Sequence, residues 1–95
     1  MNPIVDNPKL IQEFEKEKGT TARGNKLPAG WLIERAGLKG RKIGGAMVSE
    51  SHADFILNAG GATAENVIML ESIVKQQVRD QFGVQLRSEV QYVGF

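Results

Sequence analysis

The apolar residues of the chain fall into short groups whose spacing switches between helical and strand periods. Leu10, Ile11 and Phe14 make a narrow stripe on an otherwise charged segment between Asn7-Pro8 and Gly19. Asparagine is a good N-cap, proline fits the first helical position and glycine suits the C-terminal cap, so this segment is predicted to be a surface helix. Residues 20–25 read as a polar loop. A second short helix is opened by Pro28 and closed by Gly37, with Trp31, Leu32, Ile33 and Ala36 inside it. Leu27 has no polar side chain to cap that helix, so its first amides need another partner.

Residues 38–45, rich in glycine and basic residues, predict a turn running into an irregular or bulged strand. Ala46, Met47 and Val48, then Phe55, Ile56 and Leu57, are short apolar runs expected to pair in one sheet. Residues 58–61 end the second run with the strongest turn signal in the chain. Thr63 caps the longest helix, with Glu65 in the first turn where the helix dipole favours a carboxylate. Val67, Leu70, Val74 and Val78 recur at three- and four-residue spacing, Ile73 widens that face, and Gly83 ends the helix. Val84 is placed for the apolar contact that follows a glycine cap. The final segment alternates, with Val84, Leu86, Val90 and Tyr92 on one face and Gln85, Arg87, Glu89 and Gln91 on the other. That predicts a strand with one buried face, on which Ser88 is the one polar residue. Helices and strands mix without regular alternation, so the fold class is α+β: a single domain with a small mixed or antiparallel sheet and about three helices packed on it.

A length of 95 residues suits one domain and leaves no room for two. The balance of 12 basic and 11 acidic residues leaves a net charge of +1. There is then no long-range field to attract nucleic acid or an anionic membrane, so neither is expected as a partner and any anion site must be local. The absence of cysteine excludes disulfides, thiol catalysis and zinc-thiolate sites. No apolar run approaches the ~20 residues needed to span a bilayer. The N-terminus lacks the basic and apolar regions of a signal peptide, so a soluble, cytoplasmic domain is expected.

Candidate chemistry is sparse. The start of the second helix combines uncapped amides and a positive dipole end with Lys26 and the small Ala29 and Gly30, which is a local anion site on paper. The alternative is a solvated Lys26 and a Gly30 that only permits close packing against Trp31. Lys39, Arg41 and Lys42 match neither the dinucleotide glycine fingerprint nor the P-loop, and read as surface. His52 is the only histidine, so no histidine pair exists for a metal, and a lone histidine in a polar loop is most often exposed. Glu89 projects from the polar face of the last segment; it is solvated unless that face lines a cleft, where a strand would place it rigidly for acid or electrostatic work.

Read as a string, the middle and end of the chain carry more. Lys26-Leu27-Pro28-Ala29-Gly30-Trp31-Leu32-Ile33-Glu34, Ala36-Gly37-Leu38-Lys39-Gly40 and Ile43-Gly44-Gly45-Ala46-Met47-Val48-Ser49 resemble the C-terminal domain of the UDP-N-acetylenolpyruvoylglucosamine reductase family. So do His52-Ala53, Phe55-Ile56 with Asn58, Ala62-Thr63-Ala64, and Phe82-Gly83-Val84 with Glu89-Val90, all in order from about residue 26 to the end. The resemblance implies an enzyme that uses FAD and NADPH to reduce UDP-N-acetylglucosamine enolpyruvate to UDP-N-acetylmuramate, a peptidoglycan precursor. Residues 1–95 would be its C-terminal substrate-binding domain, with 1–6 as linker or domain start and the flavin-binding domains upstream as its partner.

Position by position, the resemblance makes Glu89 the glutamate that stabilises or protonates the intermediate. Asn2, with Pro3, ends the family's Gly-Ser-x-Phe-x-Asn-Pro segment, whose asparagine contacts substrate. Lys26 matches a lysine near the diphosphate, and His52 falls where members use glutamine or histidine on the substrate. The proton-donating serine of that segment would precede Met1, Arg87-Ser88 stands where the family usually has Glu-Pro, and residues 4–25 carry little of the pattern. This chain alone is therefore expected to be inactive and to bind no cofactor. A stand-alone interaction module that keeps the fold without a ligand is the alternative, and it would not need Lys26, His52 and Glu89 on one cleft.

Overall fold

Asparagine and proline start the first helix where the pattern puts it. In the computed structural model, which describes residues 3–86 and 90–94, α1 spans Pro8–Lys18. The Asn7 side chain accepts from the Leu10 amide at 3.1 Å, and Gly19 closes the helix in the left-handed region. After a 3-10 turn at Arg23–Asn25, α2 spans Ala29–Arg35. The edge of Phe14 meets Trp31 at 5.2 Å, and the Arg35 guanidinium lies over Trp31 at 5.1 Å while pairing with Glu13 of α1. One aromatic contact and one cation thus dock α1 on α2. The residues before α1 are tied down too: the Val5 amide donates to the Asn25 carbonyl at 2.8 Å and the Leu27 amide to the Pro3 carbonyl at 3.2 Å.

The sheet has four strands, β1 Lys42–Ile43, β2 Ala46–Val48, β3 Phe55–Asn58 and β4 Gln91–Val93, in that spatial order. The first three are antiparallel and β4 is parallel to β3. A parallel neighbour requires a crossover, and α3, Ala64–Phe82, provides it. Thr63 and Asn66 cap α3 reciprocally and Gly83 ends it at φ 69. The mixed sheet and three helices are the α+β domain expected from the sequence, and the 46–48 and 55–57 runs pair as predicted.

Cross-strand partners share a face. Ala46, Val48 and Ile56 lie on the face turned to α3, where they are buried with Leu70, Val74 and Val78. The final segment departs from expectation. Val84 and Leu86 are buried and Gln85 is exposed, as the alternation requires, but they lie outside any strand and β4 is confined to Gln91–Val93. They fill the core just past the Gly83 cap, without the neighbouring strand a ladder would need. Tyr92 is 47% exposed instead of buried, because β4 sits at the sheet edge and the phenol points its hydroxyl to Glu71 on α3. Ser88 and Arg87 fall outside the described residues.

The β1–β2 turn reaches across to the turn between β3 and α3. A Cβ on Gly45 would stand 2.3 Å from the Gly60 carbonyl oxygen and 2.4 Å from the Ala62 nitrogen. The Ala59 amide donates to the Gly45 carbonyl at 2.7 Å. Gly45→Ala is expected to cost roughly 1–3 kcal/mol through forced separation of the two turns. Urea denaturation of both forms measures it, and an unchanged midpoint would mean the turns are not in contact.

Candidate functional site

Three segments meet at the end of the sheet where β3 begins. The first is the start of α2. Pro28 offers no side-chain cap, and a Cβ on Gly30 would lie 3.3 Å from Asp54 Oδ1 and 3.6 Å from the Asp54 nitrogen. The small residue at 30 therefore admits the 52–54 turn. The chain's own Asp54 carboxylate stands at the helix start, where a negative charge is favoured.

The second segment is the β2–β3 loop. Ser49 is the one polar residue among the buried, described ones. Its Oγ accepts from the Ser51 amide at 3.2 Å and the His52 amide at 3.1 Å. Its own amide donates to the Phe55 carbonyl, and the Phe55 amide donates to the His52 carbonyl, each at 2.9 Å. This closed loop fixes the backbone of His52, whose exposed ring lies 5.7 Å from Phe55. The third segment is the start of β4, where the Gln91 amide donates to the Asp54 carbonyl at 2.8 Å.

Of the residues picked from sequence, Lys26 is exposed in the lead-in to α2, bridged through its backbone to Ile4, with no ion pair among the described residues. His52 is exposed on the second segment. Asn2 and Glu89 lie outside the described residues. The sequence reading missed Ser49 and Asp54. A serine two and three residues before donors in a polar loop is a visible ST-turn signal, whereas the approach of Asp54 to Gly30 is non-local and leaves no mark on the sequence. Among the described residues no group of three His, Cys, Asp or Glu side chains could hold a metal ion. No helix is long and apolar enough to cross a membrane, among the same residues.

On the α3 side the Tyr92 hydroxyl donates to the Glu71 carboxylate, which also pairs with Lys75 at 2.9 Å. Burial pushes the Glu71 carboxyl up, but the Tyr92 hydroxyl and the Lys75 ammonium outweigh it and leave the group below its ordinary value of 4.5. Burial and the Glu71 carboxylate push the Tyr92 phenol up to about 12.

The family profile described as UDP-N-acetylenolpyruvoylglucosamine reductase, C-terminal domain, matches residues 2–93. The chain is similar to the UDP-N-acetylenolpyruvoylglucosamine reductase of Bacillus velezensis, 54% identical over 96 aligned positions that cover 99% of the chain and 32% of the relative. It is 58% identical to the reductase of Anoxybacillus flavithermus over 72 positions, covering 74% of the chain and 24% of the relative. The same holds at 52% over 66 positions for reductase 1 of Bacillus anthracis, covering 70% and 22%. The chain thus spans between about a fifth and a third of the length of these relatives.

The placement of β4 against α3 is open to direct titration, because Tyr92 is the only tyrosine. Its phenolate absorbance is expected to rise with a midpoint near 12 in the folded chain, and Glu71→Gln should lower it only part of the way, because burial, the larger cause, remains. The neutral phenol is the favoured folded form, so its contribution to stability is complete below pH 10 and is lost as pH rises through about 12. The ionised Glu71 contributes above 4.5, and that contribution is lost as pH falls through its lower folded value. An unshifted midpoint in the wild type would remove the pair.

Proposed function

Because the chain belongs to the family of UDP-N-acetylenolpyruvoylglucosamine reductase C-terminal domains, we propose that it is the substrate-binding domain of an FAD- and NADPH-dependent reductase. That enzyme converts UDP-N-acetylglucosamine enolpyruvate to UDP-N-acetylmuramate for peptidoglycan synthesis. The observation that carries the reading is the junction of the α2 start, the His52 loop and the start of β4 at one end of the sheet. Of the described positions assigned from the family resemblance, Lys26 lies in the lead-in to α2 and His52 on the loop that meets the α2 start.

FAD and NADPH belong, on this reading, to the remainder of the polypeptide, and neither nucleotide-binding glycine motif occurs here. The flavin supplies the hydride when bound. This chain's part is to hold and neutralise the substrate. Lys26, an exposed ammonium without an acid partner among the described residues, fits the diphosphate as a point charge. Since Asp54 already faces the start of α2, the anion contact falls on Lys26 and not on the helix amides. His52, on a loop braced by Ser49, donates or accepts a hydrogen bond at the sugar. Asn2 contacts substrate from the segment before Pro3. Glu89 stabilises or protonates the reduced substrate. The serine that gives the other proton has no matching position in this chain, so the isolated domain is expected to bind substrate weakly, without turnover.

The test is an amide NMR titration of the chain with UDP-N-acetylglucosamine at millimolar concentration. Grouped shifts at Lys26, Ala29, Gly30 and His52 are expected, and Lys26→Ala should weaken the apparent affinity several-fold while leaving the spectrum folded. Saturating ligand with no shift at these residues would favour the alternative, a module that keeps the fold without the ligand.

A further inference from the structure

Asn25 is the one described residue other than glycine with its backbone in the left-handed region, at φ 58. Gly24 before it stands at φ 60, so two left-handed residues in succession lead into Lys26. A Cβ makes that region costly, least so for asparagine, whose short side chain can bond to nearby backbone. The Asn25 side chain is exposed and makes no hydrogen bond among the described residues. What the residue contributes therefore runs through its backbone. Its carbonyl accepts from the Val5 amide at 2.8 Å, and beyond Lys26 the Leu27 amide donates to the Pro3 carbonyl at 3.2 Å. These two bonds close around an antiparallel bridge that sets Lys26 opposite Ile4.

The bridge has a dry side and a wet side. Val5 and Leu27 are 0% exposed, whereas Ile4 is 70% exposed and Lys26 is exposed opposite it. Side chains alternate along an extended strand, so a slip of one residue would exchange Lys26 for Leu27 and turn the ammonium toward the core. The left-handed turn at 24–25 delivers the chain into the bridge in the register that avoids this. Lys26 is then held outward, with no acid among the described residues to turn it aside. We infer that Asn25 is a positioning residue for anion binding: its left-handed backbone fixes the register of residues 25–27, so that the backbone carrying the Lys26 ammonium is ordered before a diphosphate arrives. A cation placed in advance loses less freedom when its ligand binds. The identity of that ligand rests on the reading above.

Amide exchange and ligand titration on the 95-residue chain test this together. Asn25→Gly accepts the same φ, whereas Asn25→Val puts a β-branched side chain where such residues are outliers. The valine variant is expected to speed exchange of the Val5 and Leu27 amides several-fold and to weaken UDP-N-acetylglucosamine binding several-fold. The glycine variant should stay close to wild type in both. Asn25→Ala should fall between them, and it serves as the measure if the valine variant does not fold. In a Lys26→Ala background, Asn25→Val should cost no further affinity, which a general loss of stability would not reproduce. Affinity lost in Asn25→Gly overturns the proposal, because the side chain then touches the ligand itself. A wild-type chain with no shift at Lys26 under saturating ligand sinks the functional reading and this proposal with it. Wild-type binding that the valine and alanine variants retain in full, or exchange that neither of them changes, sinks the proposal alone.

Discussion

The parallel return of β4 beside β3 is the constraint that organises this domain. Two parallel neighbours cannot be joined by a hairpin, so the chain must leave the sheet, cross it as α3 and come back. That crossing puts the apolar stripe of Leu70, Val74 and Val78 on one face, over Ala46, Val48 and Ile56. The turns must then be tight enough to let the helix start close to the strand ends. Asn58 Oδ1 accepts from the Gly60 and Ala62 amides, and Asn66 Oδ1 accepts from the Thr63 amide and reaches the Gly45 amide. Two asparagine side chains stand in for backbone hydrogen bonds that this crowded corner has no room to make.

Much of this was legible in the sequence because local chemistry wrote it. Asn7-Pro8, Thr63, Gly19 and Gly83 mark their helix ends without help from distant residues. The 46–48 and 55–57 runs declare themselves as strands by composition. The failures have two causes: burial by distant parts of the chain was read as strand pairing, and alternation onto the core side was read as burial. Val84 and Leu86 alternate like a strand, yet they enter the core as plugs. Tyr92 alternates onto the core side but stops at the edge, where its hydroxyl finds Glu71. The candidate site was legible mainly through family resemblance. Lys26 carries only a weak local signal, as a cation beside uncapped helix amides, His52 carries none, and Asp54, which sits against α2, is paired with Gly30 by tertiary structure alone.

Charge explains why such a site needs a built environment. With a net charge of +1 the domain cannot draw an anion from a distance, so selectivity falls on a few groups held in place. The buried Ser49 hydroxyl is one such support: it satisfies two amides of the loop bearing His52, in a position where water would otherwise compete. Asp54 performs a related task at α2, answering the positive helix end from within the chain.

The single tryptophan and the single tyrosine fall in different parts of this architecture. Trp31 reports on the docking of α1 against α2, wedged between Phe14 and Arg35. Tyr92 reports on the sheet edge and its tie to α3. The molecule therefore carries two natural optical probes, one for its helical corner and one for its last strand. Whether the domain melts as a single cooperative unit, or sheds its edge strand before its helices, is written into the difference between their two signals.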